Sequence, residues 1–315
     1  MNTVKIKAYA KINLTLEIVG AENGFHLLDS AVASVDLFDL VVLKKRKGAL
    51  SHVVMKGQGS EAIAPENNNA LKAAEAFSNA FQTGGAEITV YKNIPIGAGL
   101  GGSSADAAAV LTGMAKLYKI EDEAAIELLA QALGSDVKYM RKGGFQRMQG
   151  RGEILTPIPT HRTLYFLAIC PSSPVNTGAC YQRYDARKIP FSKGENTRSL
   201  LACLQNGNLI NEGGRYLTND LYLPATELNL AVKEAYLEAL SFSPLGVTMS
   251  GSGSCILAWF ETKELCEWAK SRYRGKHKTL ILKTVSPQTQ KANIFKNPFA
   301  LSQEEIGAAS GEGEE

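Results

Sequence analysis

The chain has 315 residues, of which 45% are hydrophobic and 21% charged, and its formal net charge is +3. This composition is typical of a globular protein, and the length predicts about two domains or lobes. The small net charge argues against nucleic acid as a partner. Because no apolar run approaches the ~20 residues that cross a bilayer, no membrane partner is expected either.

The number and spacing of the cysteines indicate a reducing compartment. The sequence contains five cysteines and no CxxC pair, so neither a disulfide framework nor a zinc site is expected. Residues 1–7 alternate polar and apolar side chains and resemble neither a signal peptide nor a transit peptide. We therefore expect a cytoplasmic protein without a dedicated metal site. The expected oligomeric state is a monomer or a weak homodimer.

A strictly alternating pattern opens the chain. From Ile6 to Ile18 every second residue is apolar, and Lys7, Lys11 and Asn13 fall on the opposite face. This pattern predicts one long, half-buried strand. The elements predicted next are a turn at 20–24, β regions at 32–43 and 53–55, a helix at 67–81 and a strand at 87–91.

The rest of the chain interleaves helices with apolar strands. We predict helices at 104–117, 122–133, 228–240 and 264–273, strands at 163–169, 247–249, 255–260 and 280–285, and a loop at 189–198. Gly134 is expected to end the helix at 122–133. Because there is no regular βαβ rhythm, the predicted fold class is α+β.

A glycine-rich segment joins a predicted strand to a predicted helix. It reads Pro95-Ile96-Gly97-Ala98-Gly99-Leu100-Gly101-Gly102-Ser103-Ser104. Glycines let a ligand approach the backbone closely, and a helix start offers free N–H groups and the positive end of the helix dipole. The segment is therefore a candidate anion site, in which Ser103 or Ser104 is expected to cap the helix. A glycine-rich linker at a tight turn is the alternative.

Two common nucleotide motifs do not fit this segment. Gly97 and Gly102 have the GxxxxG spacing of a P-loop, but Ser103 stands where that motif requires lysine. GxGxxG is matched by Gly97, Gly99 and Gly102, yet no clear strand-borne acid follows at the distance that a dinucleotide site requires. Positively charged partners for a phosphate must then come from distant parts of the chain.

Several segments together resemble the GHMP kinases, the superfamily that includes galactokinase, homoserine kinase and mevalonate kinase. The glycine-rich segment is similar to their phosphate-binding motif, residues 8–14 to their N-terminal strand motif and residues 250–255 to their C-terminal glycine motif. Further motifs resemble the family of 4-diphosphocytidyl-2-C-methyl-D-erythritol kinases within that superfamily. These motifs lie at residues 23–26, 133–137, 150–157 and 219–221.

The resemblance implies two α+β lobes with ATP and an acceptor in the cleft between them. It places an ATP-binding lobe at 1–157 and a substrate lobe at 158–300, while composition predicts a disordered acidic tail at 301–315. The implied reaction moves the γ-phosphoryl group of ATP to the 2-hydroxyl of 4-diphosphocytidyl-2-C-methyl-D-erythritol, in non-mevalonate isoprenoid biosynthesis. Mg²⁺ is expected to arrive with the nucleotide.

The same resemblance implies roles for individual residues. Asp136 is the candidate base, and Lys11 is a cation that keeps it ionised and stabilises transferring charge. His26 is expected to read the cytosine edge, between Phe25 and Tyr181 as stacking rings. The remaining acceptor-binding candidates are Asn13, Gly251, Ser252 and Gly253. The nucleotide-binding candidates are Asn68, Pro95, Gly97, Gly99, Leu100, Gly101, Gly102, Ser103 and Ser104.

Most of these assignments have a simpler structural alternative. Asp136 would close a helix–loop junction, Lys11 would be an exposed strand lysine, Asn13 a cross-strand partner, Asn68 a helix N-cap and Tyr181 a core residue. Two other functions also stay open: a GHMP kinase acting on homoserine or a mevalonate derivative, and an inactive nucleotide- or sugar-binding protein. The aromatic set with His26 disfavours the first, and retention of both Lys11 and Asp136 disfavours the second.

The sequence departs from the family pattern at four positions. Phe25 stands where tyrosine is usual, and Lys138 replaces a usual proline. In the glycine-rich motif, Ser103 takes a glycine place and Ala105 takes the place of the second serine. We expect these departures to affect substrate specificity more than kinase activity.

Overall fold

The computed structural model describes residues 2–57, 59–63 and 68–287. The predicted tail at 301–315, the end of the predicted substrate lobe and Asn67 lie outside these residues. In chain order the elements are β1 (Thr3–Asn13), β2 (Thr15–Glu22), β3 (Phe25–Lys45), β4 (His52–Lys56), α1 (Asn69–Phe81), β5 (Ala86–Tyr91), α2 (Gly102–Tyr118), α3 (Glu123–Leu133), α4 (Ser135–Lys142), β6 (Gln146–Gly150), β7 (Ile154–Pro157), β8 (Tyr165–Cys170), α5 (Thr177–Ala186), α6 (Glu195–Asn206), α7 (Leu209–Glu212), β9 (Thr218–Asn219), α8 (Tyr222–Leu228), α9 (Leu230–Leu240), β10 (Gly246–Met249), β11 (Ile256–Phe260), α10 (Lys263–Arg272) and β12 (Lys278–Lys283).

The strands form two sheets. An eight-stranded sheet runs in the order β4-β5-β3-β2-β9, with β1 and β6 also paired to β3, and β7 paired to β6. A four-stranded antiparallel sheet has the order β10-β11-β8-β12. This arrangement confirms the predicted α+β class. Among the described helices, none is long and apolar enough to cross a membrane.

The two sheets share apolar contacts, so the division into lobes is not a sharp one. β9, from the second half of the chain, pairs in parallel with β2 of the first sheet. The largest apolar core includes Val4 on β1, Phe166 on β8 and Trp259 on β11. The boundary between residues 157 and 158 therefore stays a prediction.

The alternating segment at the start of the chain is two strands, and the prediction of a single strand is wrong. β1 ends at Asn13, and the N–H of Leu14 donates to the carbonyl of Ala31 at 2.8 Å before β2 begins. The face predicted to be polar is also buried. Lys11 and Glu17 are 5% and 2% exposed, because they contact other parts of the chain that periodicity does not reveal.

The prediction of a loop at 189–198 is also wrong in part, and a contact of Glu17 explains why. Its carboxylate accepts the N–H of Thr197 at 2.7 Å, at the first turn of α6. The segment 189–198, predicted as a loop, therefore ends in a helix whose N-cap, Gly194, provides no side-chain cap. Four more helices, α4, α5, α7 and α8, and the strands β6, β7 and β9 were not predicted, because they are short and their apolar positions are few. The other predicted elements are confirmed, with shifted ends, and Gly134 ends α3 as expected.

A buried charge cluster positions the glycine-rich segment. Lys92 donates to Asp39 on β3 and, at 2.6 Å, to Asp106 on α2. Asp39 also accepts the N–H groups of Asn93 and Ile94, at 2.6 and 2.8 Å. A buried charge left unpaired costs several kcal/mol. The cluster therefore stabilises both ends of the segment against the same strand.

This cluster has one cation for two carboxyl groups. Burial raises the pKa of Asp106 to about 8, although Lys92 opposes the rise, and the carboxylate of Asp39 adds to it. Asp106 is 2% exposed, and its Oδ1 has no hydrogen-bond partner among the described residues. We infer that Asp106 is largely protonated at neutral pH.

We predict that the stability of the variant Asp106→Asn relative to the wild type increases as the pH rises. The pKa of Asp106 is about 8 when folded and near 3.8 when unfolded, so the wild-type protein loses stability as the pH rises from about 4 to 8, whereas asparagine does not titrate. In urea unfolding, the free energy of unfolding of the variant minus that of the wild type should increase from pH 5 to pH 8 and level off above about 8.

The matched control is Asp122→Asn, an exposed aspartate that caps α3 through the N–H of Ala125. Asparagine caps a helix as well as aspartate, so this difference should stay flat above pH 5. A flat profile for Asp106→Asn as well would contradict the protonated state assigned to Asp106.

Candidate active site

A single cleft of about 1320 Å³ contains all the residues that the sequence predicts for the site, from Lys11 to Gly253. Its walls come from β1, the start of β3, the glycine-rich segment, the starts of α4 and α5, and the loop after β10. These segments are far apart in the sequence. The fold therefore brings together the predicted phosphate, catalytic and acceptor residues in one place.

The glycine-rich segment is held in place by hydrogen bonds from its neighbours to its backbone carbonyls. The carbonyls of Leu100 and Ala98 accept the N–H groups of Lys11 and Cys255, at 3.0 and 3.1 Å. The hydroxyl of Ser250 donates to the carbonyl of Gly99 at 2.9 Å. Gly99 has a φ of +76°, and a Cβ there would lie 2.0 Å from the Ser250 carbonyl oxygen. This close approach requires glycine and disfavours a simple linker.

The start of α2 differs from the prediction. The N-cap is Gly101, with a φ of 72° and no side-chain cap, so neither Ser103 nor Ser104 caps the helix. Both serines lie inside the first turn and line the cleft together with Gly102. The first N–H groups of a helix have no acceptor within it. An anion at this point would meet these donors and the positive end of the dipole.

Lys11 and Asp136 lie close together in the cleft. The Lys11 Nζ is 3.5 Å from Asp136 Oδ2 and donates to Asn13 Oδ1 at 2.6 Å. Lys11 is therefore a buried residue, not an exposed strand lysine. Asp136 does stand at a helix junction, in the first turn of α4, but its side chain is 30% exposed to the cleft. A carboxylate at a helix start is favoured by the dipole.

Asn13 connects this pair to the loop after β10. Its Oδ1 also accepts the N–H of Gly251 at 3.0 Å, and its Nδ2 donates to the hydroxyl of Ser30 at 2.9 Å. Asn219 holds the same loop from the other side, donating to the carbonyls of Met249 and Gly251 at 2.7 and 2.8 Å. The sequence contained Asn219 in a family motif but indicated no role for it.

The aromatic residues line one side of the cleft. The ring of His26 stacks on Tyr181, with centroids 4.7 Å apart and an angle of 26° between the planes. His26 Nε2 lies 2.7 Å from Asp185 Oδ1, a partner that the sequence did not indicate. Phe25 is 54% exposed, and the Arg151 guanidinium lies 4.0 Å from its ring centroid. A base held between Phe25 and Tyr181 stays a prediction.

Two predicted residues have a structural contact as well as a place in the cleft. Tyr181 packs against the core of the second sheet, and burial raises its pKa, with the Asp136 carboxylate adding to the rise. Asn68 caps α1, because its Oδ1 accepts the N–H groups of Ala70 and Leu71 at 3.0 and 3.2 Å. This cap uses only the amide oxygen, so the amide nitrogen of Asn68 can still donate to a ligand.

Sequence comparison agrees with the geometry. Residues 68–146 match the GHMP kinases N terminal domain, and residues 200–273 match the GHMP kinases C terminal domain. The 4-diphosphocytidyl-2-C-methyl-D-erythritol kinase of Syntrophomonas wolfei is 30% identical over 281 residues, which cover 88% of this chain and 96% of that protein. The enzyme of the same name from Carboxydothermus hydrogenoformans is 36% identical over 262 residues, covering 81% and 88%.

Structural comparison identifies the same group. A crystal structure of 4-(cytidine 5'-diphospho)-2C-methyl-D-erythritol kinase matches with a TM-score of 0.72 and 29% identity, over 90% of this chain and 100% of that one. Homoserine kinase from Cytophaga hutchinsonii matches with a TM-score of 0.69 but 19% identity, a likeness of fold alone. The chain belongs to the GHMP kinases and, within them, to the family of 4-diphosphocytidyl-2-C-methyl-D-erythritol kinases.

Proposed function

We propose that this ATP-dependent phosphotransferase phosphorylates the 2-hydroxyl of 4-diphosphocytidyl-2-C-methyl-D-erythritol, as a cytoplasmic step of isoprenoid biosynthesis. The observation that carries the proposal is the position of Lys11 and Asp136. They lie 3.5 Å apart, in the same cleft as a helix start suited to phosphate and an aromatic wall suited to a pyrimidine. We propose that both halves of the chain contribute to the acceptor site, because Phe25 and Tyr181 face one cleft.

Phosphoryl transfer depends mainly on positioning and on stabilisation of charge. In the proposed reaction the acceptor oxygen forms a bond to the γ-phosphorus while the bond from that phosphorus to the β–γ bridging oxygen breaks, and ADP leaves. Asp136 accepts the proton of the acceptor hydroxyl. Lys11 and the N–H groups at the start of α2 stabilise the negative charge on the transferring group.

The aromatic wall supports a cytidine acceptor over a small amino acid or polyol. Stacking on Phe25 or Tyr181 contributes on the order of 1 kcal/mol for each ring. His26 has its Nε2 bonded to Asp185, which leaves Nδ1 to hydrogen-bond to the edge of a base. Homoserine and mevalonate have no ring that would use these groups.

We also propose that Mg²⁺ arrives with the nucleotide. Mg²⁺ prefers oxygen ligands and usually keeps several waters, and the hydroxyls of Ser103 and Ser104 and the carboxylate of Asp136 line the cleft. These donors fit an ion held chiefly by the phosphates, whose charge it would offset. In the described part of the chain, no group of three or more His, Cys, Asp and Glu side chains is placed to hold a metal.

We predict that the wild-type protein prefers the diphosphocytidyl acceptor over other GHMP kinase substrates. Purified protein with ATP and Mg²⁺ is tested by ADP release against that acceptor, homoserine and phosphomevalonate. Its kcat/KM for the diphosphocytidyl compound should exceed the other values by at least about 10²-fold, a discrimination of roughly 2.7 kcal/mol. Turnover of homoserine or phosphomevalonate without turnover of the diphosphocytidyl compound would overturn the proposed function.

We predict that Asp136→Asn lowers kcat by about 10²-fold or more and leaves the KM for ATP within about threefold, because the amide cannot accept the proton. The comparison variant is Asp122→Asn, another acidic residue at a helix start, which should retain wild-type kcat. Melting temperatures of both variants show whether the fold is intact. A kcat near the wild-type value for Asp136→Asn would remove this residue from the mechanism.

A further inference from the structure

We propose that Arg151 binds the diphosphate of the acceptor and that Phe25 holds its guanidinium in position. This inference rests on the proposed function, because it assigns part of the same acceptor. Arg151 is an exposed residue of the turn between β6 and β7 and lines the cleft. The family resemblance indicated no role for it.

The turn that carries Arg151 is firmly attached to the start of α4. A Cβ on Gly152 would lie 3.0 Å from the Cβ of Ser135, so the turn packs next to Asp136. Lys138 donates to the carbonyl of Glu153 at 3.1 Å, and Glu153 Oε2 accepts the N–H of Arg151 at 2.6 Å. Arg151 therefore projects from a fixed backbone, and Lys138, a departure from the family pattern, helps to fix it.

A second departure, Phe25, contacts the Arg151 side chain. The guanidinium lies 4.0 Å from the centroid of the Phe25 ring, a cation–π arrangement worth about 0.5–1 kcal/mol at an exposed site. Stacking on a ring limits the conformations of the long side chain and leaves its edge N–H groups available to acceptors. Phe25 thus orients the cation without neutralising it.

The other cations of the cleft are differently placed. Lys11 is bonded to Asn13 beside Asp136, and Lys92 is buried between Asp39 and Asp106. Lys138 donates to the carbonyl of Glu153 and so holds the turn itself. The guanidinium of Arg151, by contrast, lies over a ring, and it forms no ion pair with a carboxylate of the described residues. A guanidinium presents parallel N–H donors that match the oxygens of a phosphate in a bidentate manner. Arg151 is therefore suited to a ligand that carries its own negative charge.

The position of the turn indicates which phosphates it would meet. In a cytidine diphosphate ester, the diphosphate joins the base and ribose to the polyol that is phosphorylated. The turn contacts both the aromatic wall proposed for the base and the helix that carries Asp136. Arg151 lies on Phe25, and Gly152 packs on α4 beside Asp136. The phosphates of ATP would instead lie at the start of α2. The geometry therefore assigns Arg151 to the acceptor's diphosphate.

The test compares cytidine 5'-diphosphate with cytidine as ligands of the full chain, by calorimetry. In the variant Arg151→Gln, the Kd for cytidine diphosphate should rise about tenfold or more, while the Kd for cytidine stays within about threefold. Arg151→Lys should fall between the variant and the wild type, because lysine keeps the charge but not the planar fork. In kinetic assays, Arg151→Gln should raise the KM of the acceptor and leave that of ATP unchanged.

The control variant is Arg274→Gln, an exposed arginine whose guanidinium bonds to the carbonyls of Ser271 and Tyr273. It should bind both ligands as the wild type does. Equal weakening of both ligands by Arg151→Gln, or no weakening of either, would overturn the assignment of Arg151 alone. A wild-type protein that binds neither ligand would overturn the proposed function and this inference with it.

Discussion

The close contact between Gly99 and Ser250 is the constraint on which the site depends. It joins residues 151 positions apart in the sequence, and it works only because Gly99 has no side chain. The neighbouring contact from Lys11 to Leu100 places the glycine-rich segment against β1. A glycine-rich loop before a helix can bind an anion by itself. The contacts with Ser250 and with β1 place this loop beside Lys11 and Asp136.

Two lysines near the proposed phosphate site are placed differently. Lys92 is paired with two carboxyl groups and attaches the ends of the glycine-rich segment to β3. Its charge is therefore neutralised within the protein and stabilises the fold. Lys11 has one carboxylate nearby, at 3.5 Å, and an amide oxygen at 2.6 Å. A missing P-loop lysine indicated that cations must come from elsewhere, and in our account Lys11 supplies the catalytic one, while Arg151 serves the acceptor.

The predicted residues of the cleft could be found from sequence because most of them belong to short motifs that resemble those of a known family. The glycine-rich segment, the strand around Lys11 and the loop after β10 are examples, and all of them line the cleft. The fold class followed from the order of strong elements. Local patterns did not reveal α4, whose eight residues are mostly polar, although it carries Asp136.

Contacts between residues far apart in the chain were the main feature that the sequence did not predict. The hydrogen bond from Leu14 to Ala31 on β3 and the contact of Glu17 with the start of α6 both join distant residues. Neither is visible in the alternating pattern of the strand. The pairs His26–Asp185 and Phe25–Arg151 likewise form only in the folded chain. The helix cap at Gly101 was mispredicted because serine is the commoner cap, whereas here the serines lie within the first turn of the helix.

The most direct test of the account is a crystal structure with a non-hydrolysable ATP analogue and the diphosphocytidyl acceptor bound together. We predict that the γ-phosphate lies within hydrogen-bond distance of the N–H groups at the start of α2, and that the acceptor's 2-hydroxyl lies within hydrogen-bond distance of Asp136. A complex in which the γ-phosphate lies away from α2, or in which another hydroxyl faces Asp136, would contradict the account.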